Sequence, residues 1–282
     1  MRGLLRDLSR DFGDFMIWYT GSKRSTSMLV YHFHDHYEIY YQLSGERRFF
    51  IGNGNYYLKK GDIALVDSNV IHRTTAYGEQ GCERVLINIQ KSFLNILDED
   101  VRRIIVPSCF REGGRVLRLN TEQQLKVESL LENLLNIDID DYRLQKTYAQ
   151  TLVIQLLILL HMYVQDKSLH AARYSDPYSE KMSTIISYIN RNYMNPISLS
   201  SLAKEFHMSV SSLTRAFKRV TGYTFTQYLN CVRVKEAQKL LASENLSVTQ
   251  LSERVGYSSI NHFCRMFKRI SGCSALEFKK AL

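Results

Sequence analysis

Two groups of side chains in this sequence have the types and spacing to do chemistry. The first lies in "HFHDHYEIYYQLSG", His32 to Gly45. His32, His34, His36 and Glu38 alternate, as residues on one face of a β-strand do. Three imidazoles and a carboxylate form a donor set for a divalent transition metal. The same polar face could equally line a pocket for a small molecule. The second group lies near the C-terminus, on two helical stretches. Ser211, Ser212, Thr214, Arg215 and Lys218 point outward on one, and Asn261, His262, Arg265, Lys268 and Arg269 on the other. Small hydroxyls, an amide and arginines suit base edges in a major groove. The basic residues further along each helix suit phosphates, which position a protein without specifying sequence.

The elements that hold these groups separate along the chain. Met16 to Val106 carries short β-branched and aromatic runs divided by turns such as "GNGN" and "KKGD". That pattern fits an all-β barrel or sandwich. From Asn120 to Asp166 the period becomes helical. Leu125, Leu130, Leu131, Leu134 and Leu135 form one stripe, and Leu144, Tyr148, Leu152 and Leu156 open a second. Two helices joined by the acidic "DIDIDD" make a hairpin with more leucine than it can hide alone. It packs on the barrel or pairs with a second copy. "KSLHAARYSDPYSE", Lys167 to Glu180, lacks periodicity, contains Pro177 and reads as a linker. The expected division is 1–107 for the barrel, 108–166 for the hairpin, 167–180 for the linker and 181–282 for a helical domain.

Charge follows the same division. From Ser179 onward there are 15 Lys/Arg against 6 Asp/Glu, while the preceding residues hold 22 of each, so the whole net charge of +9 lies in the last third. A basic domain on a neutral one implies a polyanionic partner. The five cysteines (82, 109, 231, 264 and 273) are scattered and never spaced as CxxC. That excludes a disulfide framework and a zinc cage of cysteines. The start, "MRGLLRDLSRDFGDF", has no signal-peptide core, and the apolar run Leu152 to Leu160 is too short to span a bilayer. A cytoplasmic chain without a membrane partner is expected.

The helical third is internally duplicated. "SLSSLAKEFHMSVSSLTRAFKRVTGYTFTQYL" from Ser198 aligns with "SVTQLSERVGYSSINHFCRMFKRISGCSALEF" from Ser247. Leu213 and Phe217 match Phe263 and Phe267, and Lys218-Arg219 match Lys268-Arg269. Each copy reads helix, tight turn, helix. In the second, Ser247 and Gln250 have capping-box spacing, Gly256 suits the turn, Ser258 or Ser259 caps the next helix and Gly272 ends it. The first has His207 in place of Gly256. "TQYLNCVRVKEAQKLL", Thr226 to Leu241, joins the copies without Gly or Pro, as a stiff spacer between helices reading successive major grooves about 34 Å apart.

On these residues the last hundred positions resemble the DNA-binding domain of AraC-type transcription regulators. The resemblance implies base contacts by Ser211, Thr214, Arg215, Asn261, His262 and Arg265. The sequence departs from the family where proline usually follows each helix-ending glycine motif; Phe225 and Ala275 stand there. The N-terminal part resembles the family's cupin-type effector domain. His32, His34, Glu38 and Gly45 fit its first motif, with His36 additional. Gly61 and His72 fit its second, whose usual proline and second glycine are replaced by Asp67 and Asn69. The resemblance implies that His32, His34, Glu38 and His72 serve a small effector, commonly a sugar or related metabolite, with a metal as the alternative. Trp18, Tyr40 and Tyr41 could stack on a sugar.

The expected fold is α+β and multidomain: a cupin-like β-barrel with a helical hairpin, then an all-α domain of two helix-turn-helix units joined by a long helix. The expected function is a sequence-specific, DNA-binding regulator, an activator responding to a small molecule, acting as a homodimer with no obligatory cofactor and no enzymatic activity. A metal-dependent cupin enzyme with a helical appendage is the competing reading. It leaves the duplicated basic unit without a role. A general architectural DNA-binding protein is the third, and it would show little sequence preference.

Overall fold

Strict alternation along the strands sorts side chains of the N-terminal part onto two faces. The computed structural model describes residues 7–24, 33–78, 80–110, 114–169 and 179–280. The chain divides into two units, Met1–Tyr174 and Ser175–Leu282. In the first, β1 (Leu8–Asp11), β2 (Phe15–Arg24), β3 (Tyr37–Ser44), β6 (Asp62–Val66), β8 (Gln80–Ile89) and β9 (Arg115–Arg118) form a six-stranded sheet in the order β1-β2-β8-β3-β6-β9. A second sheet, β5-β4-β7, joins β4 (Arg47–Ile51), β5 (Gly54–Leu58) and β7 (His72–Ala76). Ile39, Tyr41, Val85, Ile87 and Ile89 share one face of the larger sheet and a single apolar core with the helices. Tyr40, Ala64, Val66 and Leu86 lie on the other face, against Phe49, Ile51, Tyr56 and Leu58. The larger sheet is therefore a middle layer, with the smaller sheet on one side and helices on the other.

Those helices are α1 (Glu99–Cys109), α2 (Thr121–Leu135) and α3 (Tyr142–Gln165). The hairpin does pack on the sheet, through Val127, Leu131, Leu134, Leu135, Leu152, Val153, Leu156, Leu157 and Leu160. The expected stripes are corrected at their ends: Leu125, Leu144 and Tyr148 are exposed. They lie on the helix faces turned from the sheet, where 3.6-residue periodicity has carried them. α3 is long and apolar enough to cross a membrane by length and composition. Yet eight of its residues, from Ala149 to Val164, are buried in the domain.

The expected segment boundaries also shift. Strand β1 begins at Leu8, ahead of Met16, and the last strand before the helices ends at Ile89. Residue 107 falls inside α1, and β9 returns to the sheet beside β6. Arg118 fixes that return: its Nε donates to Asp62 Oδ1 at 2.9 Å and its Nη2 to Oδ2 at 2.8 Å, with Asp62 fully buried. Segments 1–107 and 108–166 are thus parts of one unit. Of the expected linker, 170–178 lie outside the described residues. Lys167–Leu169 forms a 3-10 turn that buries Leu169 in the first unit's core.

The second unit consists of α4 (Ser179–Asn192), α5 (Leu199–Glu205), α6 (Val210–Thr221), α7 (Phe225–Ser243), α8 (Val248–Arg254), α9 (Ile260–Ser271) and α10 (Ala275–Lys280). The duplication is a structural one, α5-α6 repeated as α8-α9. Short polar caps set the boundaries. Ser259 accepts from the His262 amide to start α9, and Gly272, at φ 78°, ends it. Where proline was absent, capping boxes start the helices instead. Thr224 with Gln227 opens α7, and Ser274 with Glu277 opens α10.

Candidate functional site

The alternation of β3 and β8 builds a cavity of about 280 Å³ between the two sheets. Glu38 and Tyr40 line it from β3, opposite Asn88 and Leu86 of β8 in register, and Arg84 lines it from β8 opposite the buried Gln42. Trp18 and Thr20 from β2, Phe49 from β4, and His72 and Thr74 from β7 complete the lining. Trp18 and Tyr40 therefore border the cavity as expected for stacking. Tyr41 does not. It sits on the opposite face, where its hydroxyl donates to Glu128, because neighbours in a strand face opposite ways.

Three of the four expected effector residues converge at one end. His34 Nε2 lies 3.3 Å from Glu38 Oε2, and His72 Nε2 lies 3.7 Å from the same oxygen. His32 lies outside the described residues. The turn before His72 holds it in place: Asn69 adopts φ 59° where the family motif has glycine, and its amide donates to the His34 carbonyl. Asparagine tolerates this conformation better than most residues. Gly45, the motif's other glycine, is required sterically. At φ 73° a Cβ there would come within 2.3 Å of the Gly81 carbonyl oxygen.

The imidazoles are oriented by their second nitrogens. His34 Nδ1–H donates to the His36 carbonyl at 2.9 Å, and His72 Nδ1–H to the Val70 carbonyl at 2.8 Å. A carbonyl only accepts, so each Nδ1 carries a proton and each Nε2 presents a lone pair toward Glu38 unless it too is protonated. The arrangement calls for a positive charge between them. A proton serves: burial pulls the His72 pKa down, but Glu38 outweighs it and the value is raised. Burial likewise acts to raise the Glu38 carboxyl, and the His72 charge with the His34 hydrogen bond holds it well below the usual carboxylate range. A divalent cation would serve equally. The three donor atoms lie within 4.8 Å of one another, and anchoring by a backbone carbonyl is how metal-ligating histidines are held. His36 is apart from this set. It stacks flat on His34, ring centres 3.7 Å apart, and burial with the neighbouring His34 lowers its pKa to about 4.

Arg84, Asn88 and Thr74 were not among the expected site residues. The sequence does carry a signal for the first two. In "ERVLINIQ", Arg84 and Asn88 interrupt one face of a strand whose other face runs Val85, Ile87 and Ile89 after Glu83. Thr74 carries no such signal, since its partner sheet is known only from the fold.

In the second unit, Ser211, Thr214, Arg215 and Lys218 of α6 and Asn261, Arg265, Lys268 and Arg269 of α9 are exposed; Ser212 and His262 are half-buried. Leu213, Phe217, Phe263 and Phe267 are buried beneath them. Ser212 is engaged at its helix start, where its hydroxyl accepts from Ser209. The His262 ring packs edge-on against Tyr257. Arg215 and Arg265 stand at equivalent positions of the two helices, and both are exposed.

The comparisons divide the sequence as the structure does. Residues 21–135 match the model of the AraC-like ligand binding domain, and residues 202–281 a helix-turn-helix domain model. The HTH-type transcriptional activator RhaR of Mannheimia succiniciproducens is 25% identical over 251 residues, 88% of this chain and 86% of that protein. The activator RhaS of Escherichia coli is 28% identical over 120 residues, 43% of this chain and 41% of that one. Among solved structures, ToxT of Vibrio cholerae aligns over 95% of this chain and 97% of its own at 12% identity and a TM-score of 0.41, too distant a likeness to bear on either unit.

Proposed function

The chain belongs to the AraC-type transcription regulators, with a ligand-binding domain ahead of a DNA-binding one, and from that premise we propose how its parts divide the work. The duplicated helix-turn-helix unit binds duplex DNA by sequence, with α6 and α9 as the two recognition helices. The observation that carries this reading is the exposure of Arg215 and Arg265 at equivalent positions of two copies joined by the unbroken helix α7. Each guanidinium can fork onto a guanine. Lys218, Lys268 and Arg269 neutralise phosphates. The cavity between the sheets receives a small effector of monosaccharide size, its volume lying near the lower end of the range of about 300–1,000 Å³ for ligand sites. Effector binding favours one arrangement of the protein over another and so alters transcription. Activation is the direction suggested by RhaR and RhaS, which are named as activators.

The protein acts as a homodimer through α3. Leu144, Tyr148, Thr151, Gln155, Ile158 and Met162 are all exposed and follow one another at intervals of four and three residues. That is the spacing of a coiled-coil seam, which a second copy of the same helix can cover. We read the protein as a cytoplasmic sensor with neither enzymatic activity nor a membrane partner. The competing reading, a metal-dependent cupin enzyme, draws on His34, Glu38 and His72, whose Nε2 and carboxylate atoms would hold the cation. A bound cation there would supply Lewis acidity. It offers no use for two exposed recognition helices.

Selection from random duplexes at fixed salt tests the main reading. The expected outcome is a preferred site with two half-elements about one helical turn apart for each protomer. Binding without sequence preference would refute it.

A further inference from the structure

We propose that the molecule bound in the cavity is an organic anion, a sugar acid or a hydroxy acid of similar size, whose carboxylate is held by Arg84. This rests on the reading of the cavity as the effector site and adds the charge of the ligand. The placement of charges along the β3–β8 pair carries it. At one end Glu38 stands opposite Asn88, with His34 and His72 beside it. At the other, Arg84 stands opposite Gln42, four residues further along, roughly 13 Å away at the usual rise of a strand. Glu38 is thus matched where it is and remote from the guanidinium. Glu83, the neighbour of Arg84 in sequence, points to the other face, where it accepts from Tyr19 and Ser44. Among the described residues no carboxylate pairs with Arg84.

Three polar atoms along the cavity lining lack partners. Arg84 Nε, Thr74 Oγ1 and Asn88 Oδ1 are buried without hydrogen-bond partners, and all three residues line the cavity. Tyr40 lies beside Arg84. Burial raises its phenol to about 12, opposed by the charges of Arg84 and of the fully buried Arg47. A cavity with this positive end is costly unless an anion enters it. A carboxylate can meet the guanidinium fork with two hydrogen bonds, while hydroxyls on the same ligand satisfy Thr74 and Asn88. A neutral sugar would satisfy the hydroxyl and the amide and leave the guanidinium charge unanswered.

The test is the melting temperature of the full chain in buffer containing EDTA, which removes any cation from His34, Glu38 and His72. The probes are D-glucuronate, D-galacturonate and D-gluconate, against D-glucose, D-galactose and sorbitol, with glucose 6-phosphate as a separate arm. At least one of the acids should raise the melting temperature while its neutral counterpart does not, and Arg84→Gln should weaken its apparent affinity roughly tenfold or more. Without any probe, Arg84→Met should melt higher than the parent chain, since it removes an unmatched charge. A lower melting temperature for Arg84→Met would make Arg84 a structural residue and overturn the proposal. Equal stabilisation by acids and neutral sugars, unchanged in Arg84→Gln, would overturn the anion and leave the effector site standing. Stabilisation by glucose 6-phosphate alone would overturn the carboxylate, and silence of every probe would overturn both the anion and the effector site.

Discussion

The two helix-turn-helix copies present the same outer face but are held to the rest of their unit by different means. Aromatic pairs support both copies, Tyr257 with Phe263 and Phe267 with Phe278 in the second, and in the first they reach the neighbouring helices. Phe217 of α6 meets Phe225 and Tyr228 of α7 edge-on, and Phe206 meets Tyr188 of α4. Its turn residue, His207, sits exposed at φ 48°. In the second, polar groups pin the turn. The Tyr257 hydroxyl donates to Asn230 at 2.7 Å, the Arg233 guanidinium lies over the Tyr257 ring, and Arg233 also donates to the carbonyls of Tyr193 and Asn195. Gly256 lies so close to the turn after α4 that a Cβ would come within 2.5 Å of the Met194 carbonyl oxygen. Duplicated units can thus keep one recognition surface while their supports diverge. Directional hydrogen bonds tolerate less change than apolar contacts do.

The largest expected effect tests that difference at its sharpest point. Gly256→Ala combines an unfavourable left-handed backbone with a clash against the backbone carbonyls of Tyr193 and Met194. It should lower the stability of the second unit by roughly 2–5 kcal/mol in denaturant unfolding. A loss under about 1 kcal/mol would mean that the turn after α4 gives way. Next come the recognition arginines. Arg265→Ala and Arg215→Ala should each relax base choice at one position and cost about 1–3 kcal/mol in binding to the selected site. If one of them weakens all sequences equally, the copies differ in role as well as in support, and only the other reads bases.

Tyr257→Phe keeps the ring over which Arg233 lies and removes only the hydroxyl that Asn230 accepts from. Because it leaves a buried amide oxygen without that donor, a loss of about 1–3 kcal/mol is expected. An unchanged midpoint would transfer the second copy's anchoring to Arg233. The smallest effect has the opposite sign. His207→Gly relieves a positive φ at an exposed turn and should be neutral or stabilising by up to about 1 kcal/mol, against the greater backbone freedom glycine has when unfolded. A clear destabilisation would show that the imidazole has a structural partner in solution.

Much of the second unit was legible because its signals are local. Ser259 and Gly272 mark the ends of α9 with twelve residues between them, and the i, i+4 pairs Leu213/Phe217 and Phe263/Phe267 define the buried stripe. In the first unit, alternate spacing singled out His34 and Glu38, but the single strand face it implied is corrected: β3 begins at Tyr37, and His34 and His36 lie in the irregular segment before it; the second motif supplied His72. Tyr41 was offered beside Tyr40 for the same role, although alternation separates them. The exposure of Leu144 and Tyr148 was hidden for another reason. A helix apolar on nearly every side does not reveal which side meets the sheet.

The amino-acid order by itself determined the repeat, the caps, the uneven charge and the alternation of each strand, because these depend on residues a few positions apart. Only the tertiary structure decided which strands became neighbours, and therefore that Arg84 faces Gln42 while Asn88 faces Glu38. The pairing of β3 with β8 joins positions as far apart in sequence as Glu38 and Asn88, and its register is set by burying one apolar face on helices that come later in the chain. A cavity with opposite charges at its two ends is a property of that register.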